Sequence, residues 1–255
     1  MWGFLFLDIM LNKINKDYLL WILRAWRYRL IIENQEIKFM LTHLKPGQTA
    51  IDIGAHKGAY TYWMSRYTGK NGNVFAFEPQ PRLYNQLNKI LEYSKINNVH
   101  VELLALSSIK GENTLLIPGK KTSPSASIHN KKLDDGDSTK ITVETTTLDD
   151  YFCGKNQIPV HFIKCDVEGH ELEVLMSGQK LIKKFQPIIV LESEARHCGQ
   201  KNVLAVFDLL DKNGYNGFFF NGKNMLSLNS FDIYEYQLSP NKKIYVNNFF
   251  FLPKQ

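Results

Sequence analysis

An apolar stretch that runs into two glycines, AIDIGAHKGAY at residues 50–60, constrains the fold more than any other feature of this chain. The apolar residues before Gly54 are typical of the end of a buried strand. Gly54 and Gly58 predict a tight turn into a helix that runs to about Tyr67. A strand, a glycine-rich turn and a helix bring backbone N–H groups close to a small ligand. The nature of that ligand is therefore the first question.

Strand and helix patterns alternate along the rest of the chain. Strand patterns occupy residues 49–53, 73–77, 99–106, 160–165, 188–191, 215–220 and 245–252, and helical patterns occupy 80–93, 168–182 and 201–213. Residues 107–147 are different, because they predict two short extended pieces around a long polar loop. Alternating strands and helices predict an α/β fold with a mostly parallel sheet covered on both faces.

Length and composition fit one large α/β domain. The 255 residues are 44% hydrophobic and 13% aromatic, which suffices for a core and excludes collagen-like and disordered chains. The formal charge of +6 suits an anionic partner or a membrane surface without requiring either. Cys153, Cys165 and Cys198 are too few for a disulfide framework and form no CxxC pair. We therefore expect no zinc site and a reducing, cytoplasmic compartment.

The N-terminal segment has its own character. MWGFLFLDIML lacks a basic start and a cleavage site, so we do not expect a signal peptide. Residues 17–32 combine apolar positions at helical spacing with Arg24, Arg27 and Arg29, and no apolar run reaches the ~18 residues that span a bilayer. Such a helix either packs on the domain or lies on a membrane surface. We divide the chain into a helical extension, 1–44, and a main domain, 45–255.

The glycine spacing argues against a phosphate ligand at the turn. A dinucleotide fingerprint aligned on its middle glycine meets Asp52 and Lys57 in place of the outer glycines, and no Walker-type loop occurs. The pattern is D-x-G-x-x-x-G, in which Asp52 would repel a phosphate but attract an ammonium. Glu78 follows the next strand, where doubly wound sheets bind both ribose hydroxyls. Asp52, Gly54, Gly58 and Glu78 together favour an unphosphorylated, cationic nucleoside.

Charged residues surround the end of the strand at 160–165. The sequence KCDVEGHE places Lys164, Asp166 and Glu168 at alternating positions, which predicts one shared face of an extended chain until the turn at Glu168–Gly169 breaks the pattern. An aspartate directly after a buried strand is costly to leave unpaired, and Lys164 could be its partner. Glu192 ends the next strand and could face Asp166. Two carboxylates there could hold Mg²⁺, although we favour an acceptor oriented without metal.

Several motifs together resemble a known family. DIGAHKGAYT, VFAFEPQPRLYNQLNKIL and HFIKCDVEGHELEVLMSGQKLI, in this order and spacing, are similar to FkbM-type methyltransferases. The resemblance covers about residues 45–253 and leaves the N-terminal helical extension outside. It implies an S-adenosylmethionine-dependent enzyme of the class I, Rossmann-like fold. Its doubly wound sheet would have seven strands, of which the last is antiparallel.

The resemblance also implies a position for each part of S-adenosylmethionine. Residues at the methionine end would be Asp52, Gly54, Ala55 and Gly58. Glu78 would bind the ribose with Pro79 beside it, and Ala105 and Leu106 would flank the adenine. His56 stands where such enzymes often have asparagine, and we expect it to be exposed in the turn. The polar loop around Ser125, Ser127 and His129 would form part of the acceptor wall.

The implied reaction is methyl transfer to a small-molecule or glycan acceptor, which includes sugars, lipid-linked saccharides and natural products, and not to nucleic acid. For a hydroxyl acceptor a base must remove the proton, and the candidate catalytic residues are Lys164, Asp166, Glu168 and Glu192. Two other classes stay open: an NAD-binding oxidoreductase that uses Glu78, and a non-catalytic nucleoside-binding protein. The missing fingerprint glycines count against the oxidoreductase.

Overall fold

The computed structural model describes residues 15–119, 122–128, 138–155 and 157–254, so the segment MWGFLFLDIML and His129 lie outside the described residues. The strands are β1 (Thr49–Ile53), β2 (Asn73–Phe77), β3 (Val99–Glu102), β4 (Ala105–Leu106), β5 (Gly111–Pro118), β6 (Ser138–Thr146), β7 (Phe162–Cys165), β8 (Ile188–Glu192), β9 (Tyr215–Asn221), β10 (Asn224–Ser227) and β11 (Asn248–Pro253). The helices are α1 (Lys16–Arg27), α2 (Asn34–His43), α3 (Ala59–Thr68), α4 (Pro81–Ser94), α5 (Leu148–Phe152), α6 (Glu171–Met176), α7 (Gln179–Phe185), α8 (Ala195–Cys198) and α9 (Gln200–Lys212). Short π-helical segments follow α1 at Tyr28–Ile32 and occur again at Tyr234–Leu238.

The main sheet has the strand order β10-β9-β11-β8-β7-β1-β2-β3. Five neighbouring strands, from β8 to β3 in that order, are parallel, and β11 runs antiparallel to both of its neighbours. This confirms the class I arrangement, and the hairpin of β9 and β10 adds an eighth strand at one edge. The carboxyl ends of β1, β2 and β7 lie side by side, which is where open α/β sheets bind their ligands.

A second, three-stranded sheet has the order β4-β6-β5. It accounts for the two extended pieces predicted within residues 107–147, because β5 and β6 pair antiparallel over eight residues of each strand. The predicted strand at 99–106 divides between the two sheets, since β3 pairs with β2 and β4 pairs with β6. The chain therefore leaves the main sheet after Glu102 and carries Ala105 and Leu106 to the side of the crevice.

Side chains on the two faces of the main sheet form two cores. Ile51 and Ile53 belong to the core under α5, α6, α7 and α9, whereas Ala50 belongs to the core under α1, α2, α3 and α4. This alternation follows from the two-residue period of a strand. Both faces are apolar because helices cover both, and each buried aliphatic side chain contributes about 1.5–3 kcal/mol to stability.

Helix α1 packs on the main domain, as one of the two interpretations of residues 17–32 predicted. Trp21 and Ala25 are fully buried, and the indole N–H of Trp63 donates to the carbonyl of Ala25 at 2.8 Å. The division of the chain at residue 44 stays a prediction. Among the described residues, none of the helices has both the length and the apolar character that a bilayer crossing demands.

Candidate functional site

Two adjoining cavities open at the carboxyl ends of β1, β2 and β7. We call the first the apolar cavity, of about 530 Å³, because its walls are mostly aliphatic and aromatic: Phe77, Leu104, Leu106, Leu115, Ala126 and Ile128 are among its lining residues. We call the second the charged cavity, also about 530 Å³; its charged lining residues include Arg24, Glu33, Asp52, Lys57, Lys164 and Glu168. Gly54, His56, Pro124 and Asp166 line both cavities. Clefts at the carboxyl ends of the strands are where open α/β sheets bind small ligands.

Gly54 brings the turn after β1 against the chain after β7. It has a φ of +78°, and a Cβ added there would lie 1.9 Å from the carbonyl oxygen of Asp166. The amide N–H of Asp166 in turn donates to the carbonyl of Ile53 at 3.0 Å. Only glycine tolerates both this conformation and this approach. The contact explains why Asp166 lines the same cavities as the glycine turn.

Gly58 has a packing role that the sequence did not reveal. Its φ is +71°, and an added Cβ would lie 2.6 Å from Leu87 Cδ2 and 2.8 Å from Trp21 Nε1. The carbonyl of Gly58 accepts the indole N–H of Trp21 at 2.7 Å. Gly58 was expected to line the methionine end but is absent from the lining of both cavities. It allows α3 to begin close to α1 and α4.

Glu78 is buried and held in one orientation by backbone amides. Its Oε2 accepts from the N–H of His56 at 2.7 Å, and its Oε1 accepts from the N–H of Gln80 at 2.8 Å. Burial raises the pKa of Glu78 to about 7, and these two hydrogen bonds lower it in part. Each carboxylate oxygen accepts more than one hydrogen bond. The carboxyl can therefore also accept hydrogen bonds from a diol in the apolar cavity.

Ala105 and Leu106, predicted to flank the adenine, line the apolar cavity, and so does Pro79, predicted beside the ribose. A segment at 122–128 closes this cavity, because the side chain of Gln80 both donates to and accepts from the backbone of Ser123, at 3.0 Å each. The segment supplies Pro124, Ala126 and Ile128 to the wall. Ser125 and Ser127 are not part of the lining, and the Ser127 hydroxyl donates to the Glu168 carbonyl at 2.7 Å.

Asp52 lies at the bottom of the charged cavity and has a neutral hydrogen-bond partner. Its Oδ2 accepts from the hydroxyl of Thr61 at 2.5 Å. Burial raises the pKa of Asp52 to about 6. Ala55 lines the same cavity, as predicted for the methionine end. A buried carboxyl of this kind is stabilised in its charged form by a ligand ammonium.

Lys164 and Asp166 form an ion pair at the carboxyl end of β7, where both residues line the charged cavity. The distance from Lys164 Nζ to Asp166 Oδ2 is 3.3 Å, and the side chains are 2% and 31% exposed. Burial would lower the pKa of Lys164, but the surrounding carboxylates, first that of Asp166, hold it above its usual value. Lys164 therefore stays an ammonium and cannot act as a base. Asp166 is the more accessible member of the pair.

Glu168 lies in the turn that interrupts the alternating pattern of Lys164 and Asp166. Its φ is +55°, and the chain turns there, so its Oε2 lies 2.6 Å from His197 Nδ1. The hydrogen bond to Glu168 raises the pKa of His197. Glu171 accepts the N–H of Gly169 at 2.9 Å and thereby closes the same turn. The predicted helix at 168–182 consequently begins three residues later.

Glu192 lies beside the cavities and is absent from the lining of both. Its carboxyl accepts from the Asn247 side chain at 2.8 Å. Burial raises the pKa of Glu192, and the charge of Asp166 acts in the same direction. Within the described ranges, no three His, Cys, Asp or Glu side chains are arranged to hold a metal ion.

Several lining residues, His56 and three from the helical extension among them, were missed or misjudged from the sequence. His56 was expected to be exposed, but it lines both cavities, and burial lowers its pKa to about 4. Arg24, Tyr28 and Glu33 come from the helical extension and line the charged cavity. The only signal for them was an unusual concentration of charge within an apolar helix. The local sequence does not indicate which of those charges faces the cavity.

The two cavities fit S-adenosylmethionine in chemistry. The apolar cavity offers an aliphatic wall for a purine and the oriented carboxyl of Glu78 for a ribose. The charged cavity offers the carboxyls of Asp52 and Glu33 for an ammonium. Asp166 lines both cavities.

Comparisons with known proteins agree with this assignment. The model of the Methyltransferase FkbM domain matches residues 52–216. The hexuronic acid methyltransferase AglP of Haloferax volcanii is 26% identical over 166 residues, which cover 65% of this chain and 64% of that protein. The ribosomal RNA large subunit methyltransferase E of Hydrogenovibrio crunogenus is 36% identical over 74 residues, which cover 29% of this chain and 32% of that protein. The chain thus spans between about a third and two thirds of the length of these curated relatives.

A solved structure shares the fold. The FkbM methyltransferase of Methylobacillus flagellatus superposes with a TM-score of 0.50 at 15% identity, over 93% of this chain and 55% of that chain. The family model covers well over half of the residues, including the glycine turn, Glu78 and the Lys164–Asp166 pair. The chain therefore belongs to the FkbM family of S-adenosylmethionine-dependent methyltransferases.

Proposed function

We propose that this methyltransferase methylates an oxygen of a saccharide, either a glycan or a lipid-linked sugar. The observation that carries the proposal is the position of Asp166, which lines both cavities and keeps part of its carboxyl exposed. An acceptor in the charged cavity would meet Asp166 next to the end of the apolar cavity. A carboxylate in that place can receive the proton of an acceptor hydroxyl.

Methyl transfer requires few other contributions from the protein. S-adenosylmethionine, when bound, supplies an activated methyl group, so the side chains must align the acceptor and exclude water. The ammonium of Lys164 holds the Asp166 carboxylate from one side and leaves its other edge toward the cavities. Tyr60, whose ring lies 5.1 Å from Lys164 Nζ, covers this ammonium. Lys164 and Tyr60 are in this view positioning residues, and Asp166 is the base.

The choice of a saccharide is supported by the character of the charged cavity and by a relative. Sugars present many hydroxyls, and the charged cavity presents several side chains that donate or accept hydrogen bonds. AglP, which matches over 65% of this chain, is a hexuronic acid methyltransferase.

Calorimetric titration tests the cofactor. We expect adenosylhomocysteine to bind with a micromolar or lower dissociation constant and NAD⁺ to show no binding, because the fingerprint glycines for a pyrophosphate are missing. A folded protein that binds NAD⁺ and ignores adenosylhomocysteine would be an oxidoreductase candidate instead.

Isotope transfer tests the acceptor. The protein is incubated with methyl-labelled S-adenosylmethionine and, separately, with glycan, lipid-linked saccharide and ribosomal RNA fractions. We expect label as a methyl ether or ester in a saccharide fraction, identified by mass spectrometry. Label in RNA alone would contradict the saccharide and favour a nucleic acid acceptor. Cofactor binding with no transfer to any fraction would favour the non-catalytic alternative.

We also propose that the extension contacts a membrane surface, which would suit a lipid-linked acceptor. Its large exposed apolar side chains are Leu20, Leu23, Trp26, Leu30, Ile31 and Ile32. Basic residues border them, which favours anionic lipid. Flotation with anionic vesicles should be lost in the variant Leu30→Asp with Ile31→Asp. The control Ile109→Asp changes a comparably exposed residue between β4 and β5 and should float like wild type. Equal flotation of all three proteins would remove the proposal.

A further inference from the structure

The charged cavity contains two cations that have no acidic partner. Arg24, from α1, and Lys57, from the glycine turn, both line it and are half-buried. In the part of the chain that the structure describes, neither forms an ion pair or a side-chain hydrogen bond. The ammonium of Lys164 is paired with Asp166, and His197 is paired with Glu168. His56 also lines the cavity, but burial lowers its pKa to about 4. Two partly desolvated, uncompensated cations side by side form a site for an anion.

Helix packing brings these two cations together. Trp21 and Arg24 are three residues apart and therefore share one side of α1. The indole of Trp21 donates to the carbonyl of Gly58, the residue after Lys57. Arg24 and Lys57 are close enough to interact electrostatically. Burial and then the charge of Arg24 lower the pKa of Lys57. The contact between α1 and the glycine turn thus assembles the pair.

The same cavity holds carboxyls whose hydrogen bonds come from neutral groups. Asp52 accepts from the hydroxyl of Thr61, and Glu33 accepts from the hydroxyl of Tyr60. The cavity therefore offers both acidic and basic groups to a ligand. An α-amino acid, with an ammonium and a carboxylate on one carbon, has the complementary distribution of charge.

We propose that Arg24 and Lys57 bind a carboxylate, and that α1 is thereby part of the functional site although it precedes the region that the family model matches. A planar guanidinium can bind both oxygens of a carboxylate, and the ammonium of Lys57 adds a second charge. The carboxylate comes either from the methionine end of the cofactor or from an acidic sugar of the acceptor. This inference rests on the proposed function, since both sources belong to that reaction.

The first experiment addresses the cofactor as the source. Calorimetry compares S-adenosylmethionine with its decarboxylated form, which keeps the ammonium and the sulfonium. We expect wild type to prefer the carboxylated form, and Arg24→Gln and Lys57→Gln to reduce this preference about 10- to 100-fold, as for the loss of a charged hydrogen bond. Arg27→Gln is the matched control, because Arg27 lies on the same helix, is exposed and lines neither cavity.

The second experiment addresses the acceptor, with glucuronate and glucose as probes of the protein saturated with adenosylhomocysteine. If Arg24→Gln and Lys57→Gln leave the cofactor preference intact but abolish a preference for glucuronate over glucose, the acceptor supplies the carboxylate. If neither preference changes in either variant, the inference is wrong. If wild type binds neither form of the cofactor, the proposed function fails first, and that result is distinct because it appears before any substitution.

Discussion

Gly54 sets the separation between the glycine turn and the chain that carries Asp166. A side chain at residue 54 would meet the backbone oxygen of Asp166 at 1.9 Å, and a backbone atom cannot rotate away. Gly47 offers a comparison, because its φ of +81° is almost the same but an added Cβ would meet nothing within 4 Å. Comparing substitutions at the two glycines therefore separates the cost of conformational strain from the cost of steric overlap.

We expect Gly47→Ala to lower the free energy of unfolding by about 1–2 kcal/mol, the cost of a left-handed conformation in a residue with a Cβ. Gly54→Ala should cost more than this and should weaken adenosylhomocysteine binding by more than tenfold, since β1 and β7 must separate. Urea unfolding and calorimetry measure the two effects. Equal behaviour of the two variants would show that steric overlap at residue 54 is unimportant.

The proposed role of Asp166 predicts a loss of turnover without a loss of cofactor. Asp166→Asn cannot accept a proton, so we expect kcat to fall by about 10²–10⁴-fold while adenosylhomocysteine affinity changes less than fivefold. The kcat is measured with the acceptor that isotope transfer identifies, and the adenosylhomocysteine affinity is measured by calorimetry. The substitution also leaves the buried ammonium of Lys164 without its partner, which lowers stability.

A double variant separates catalysis from that structural effect. Lys164→Met combined with Asp166→Asn removes both charges, and we expect it to recover stability relative to Asp166→Asn alone. It should remain inactive, because no base has been restored. Recovery of activity in the double variant would argue that Asp166 serves only to pair with Lys164.

At the scale of elements, α1 joins the extension to the site. Asn15 caps its first turn by accepting the N–H of Asp17 at 2.9 Å, and its buried side carries Trp21 and Ala25. The edge of the Tyr62 ring also packs on Trp21, with centroids 5.1 Å apart. The helix is therefore held to α3 by packing and to the glycine turn by a hydrogen bond.

We expect Trp21→Phe to lower the free energy of unfolding by about 1–3 kcal/mol, because the buried carbonyl of Gly58 loses its donor while most of the packing remains. Adenosylhomocysteine binding should weaken as well, because that donor fixes the turn at residues 54–58. Trp26→Phe is the control, since Trp26 is 42% exposed and its indole makes no hydrogen bond to the described residues. Similar losses in both variants would contradict the role of the indole N–H.

Two elements show where local patterns mislead. The apolar spacing of residues 168–182 predicts one helix, but Glu168 and Gly169 have positive φ, so α6 begins only at Glu171. Residues 99–106 predict one strand but divide between two sheets. Periodicity describes which side chains are apolar; it does not describe a turn that tertiary hydrogen bonds stabilise.

At the scale of the whole molecule, burial of carboxyls links stability to pH. Burial raises the pKa of Asp52 to about 6 and those of Glu78 and Glu171 to about 7. A carboxyl whose pKa is higher in the folded than in the unfolded protein contributes stability below its unfolded pKa, and this contribution is lost as the pH rises through the folded pKa. Each unit of difference corresponds to about 1.4 kcal/mol. The protein without cofactor should thus lose stability from these groups between about pH 4 and pH 7.

Glu78→Gln removes one of these groups, so the decrease in Tm between pH 5 and pH 8 should be smaller in this variant than in wild type. Calorimetric melting of the cofactor-free protein measures both slopes. His56, whose lowered pKa acts in the opposite direction below about pH 6.5, is present in both proteins and cancels in the comparison. Glu112→Gln, at an exposed position of β5, should keep the wild-type slope. Equal slopes in all three proteins would contradict the prediction.

The sequence by itself determined the fold class and the type of cofactor turn. Strand and helix periods are local properties, and so is the need for Gly54 after a buried strand with an acid at its end. The same holds for Glu78 after β2 and for the Lys164–Asp166 pair at the end of β7, because the carboxyl ends of parallel strands meet at one edge.

Only the tertiary structure decided which other side chains reach the cavities. Arg24, Tyr28 and Glu33 line the charged cavity because α1 and the segment after it pack over the glycine turn. These residues are distant in sequence from the turn that they approach. Glu168 turns to His197 because its backbone is left-handed. Contacts between distant segments and the sign of φ depend on the packed chain, and no local pattern of residues encodes them.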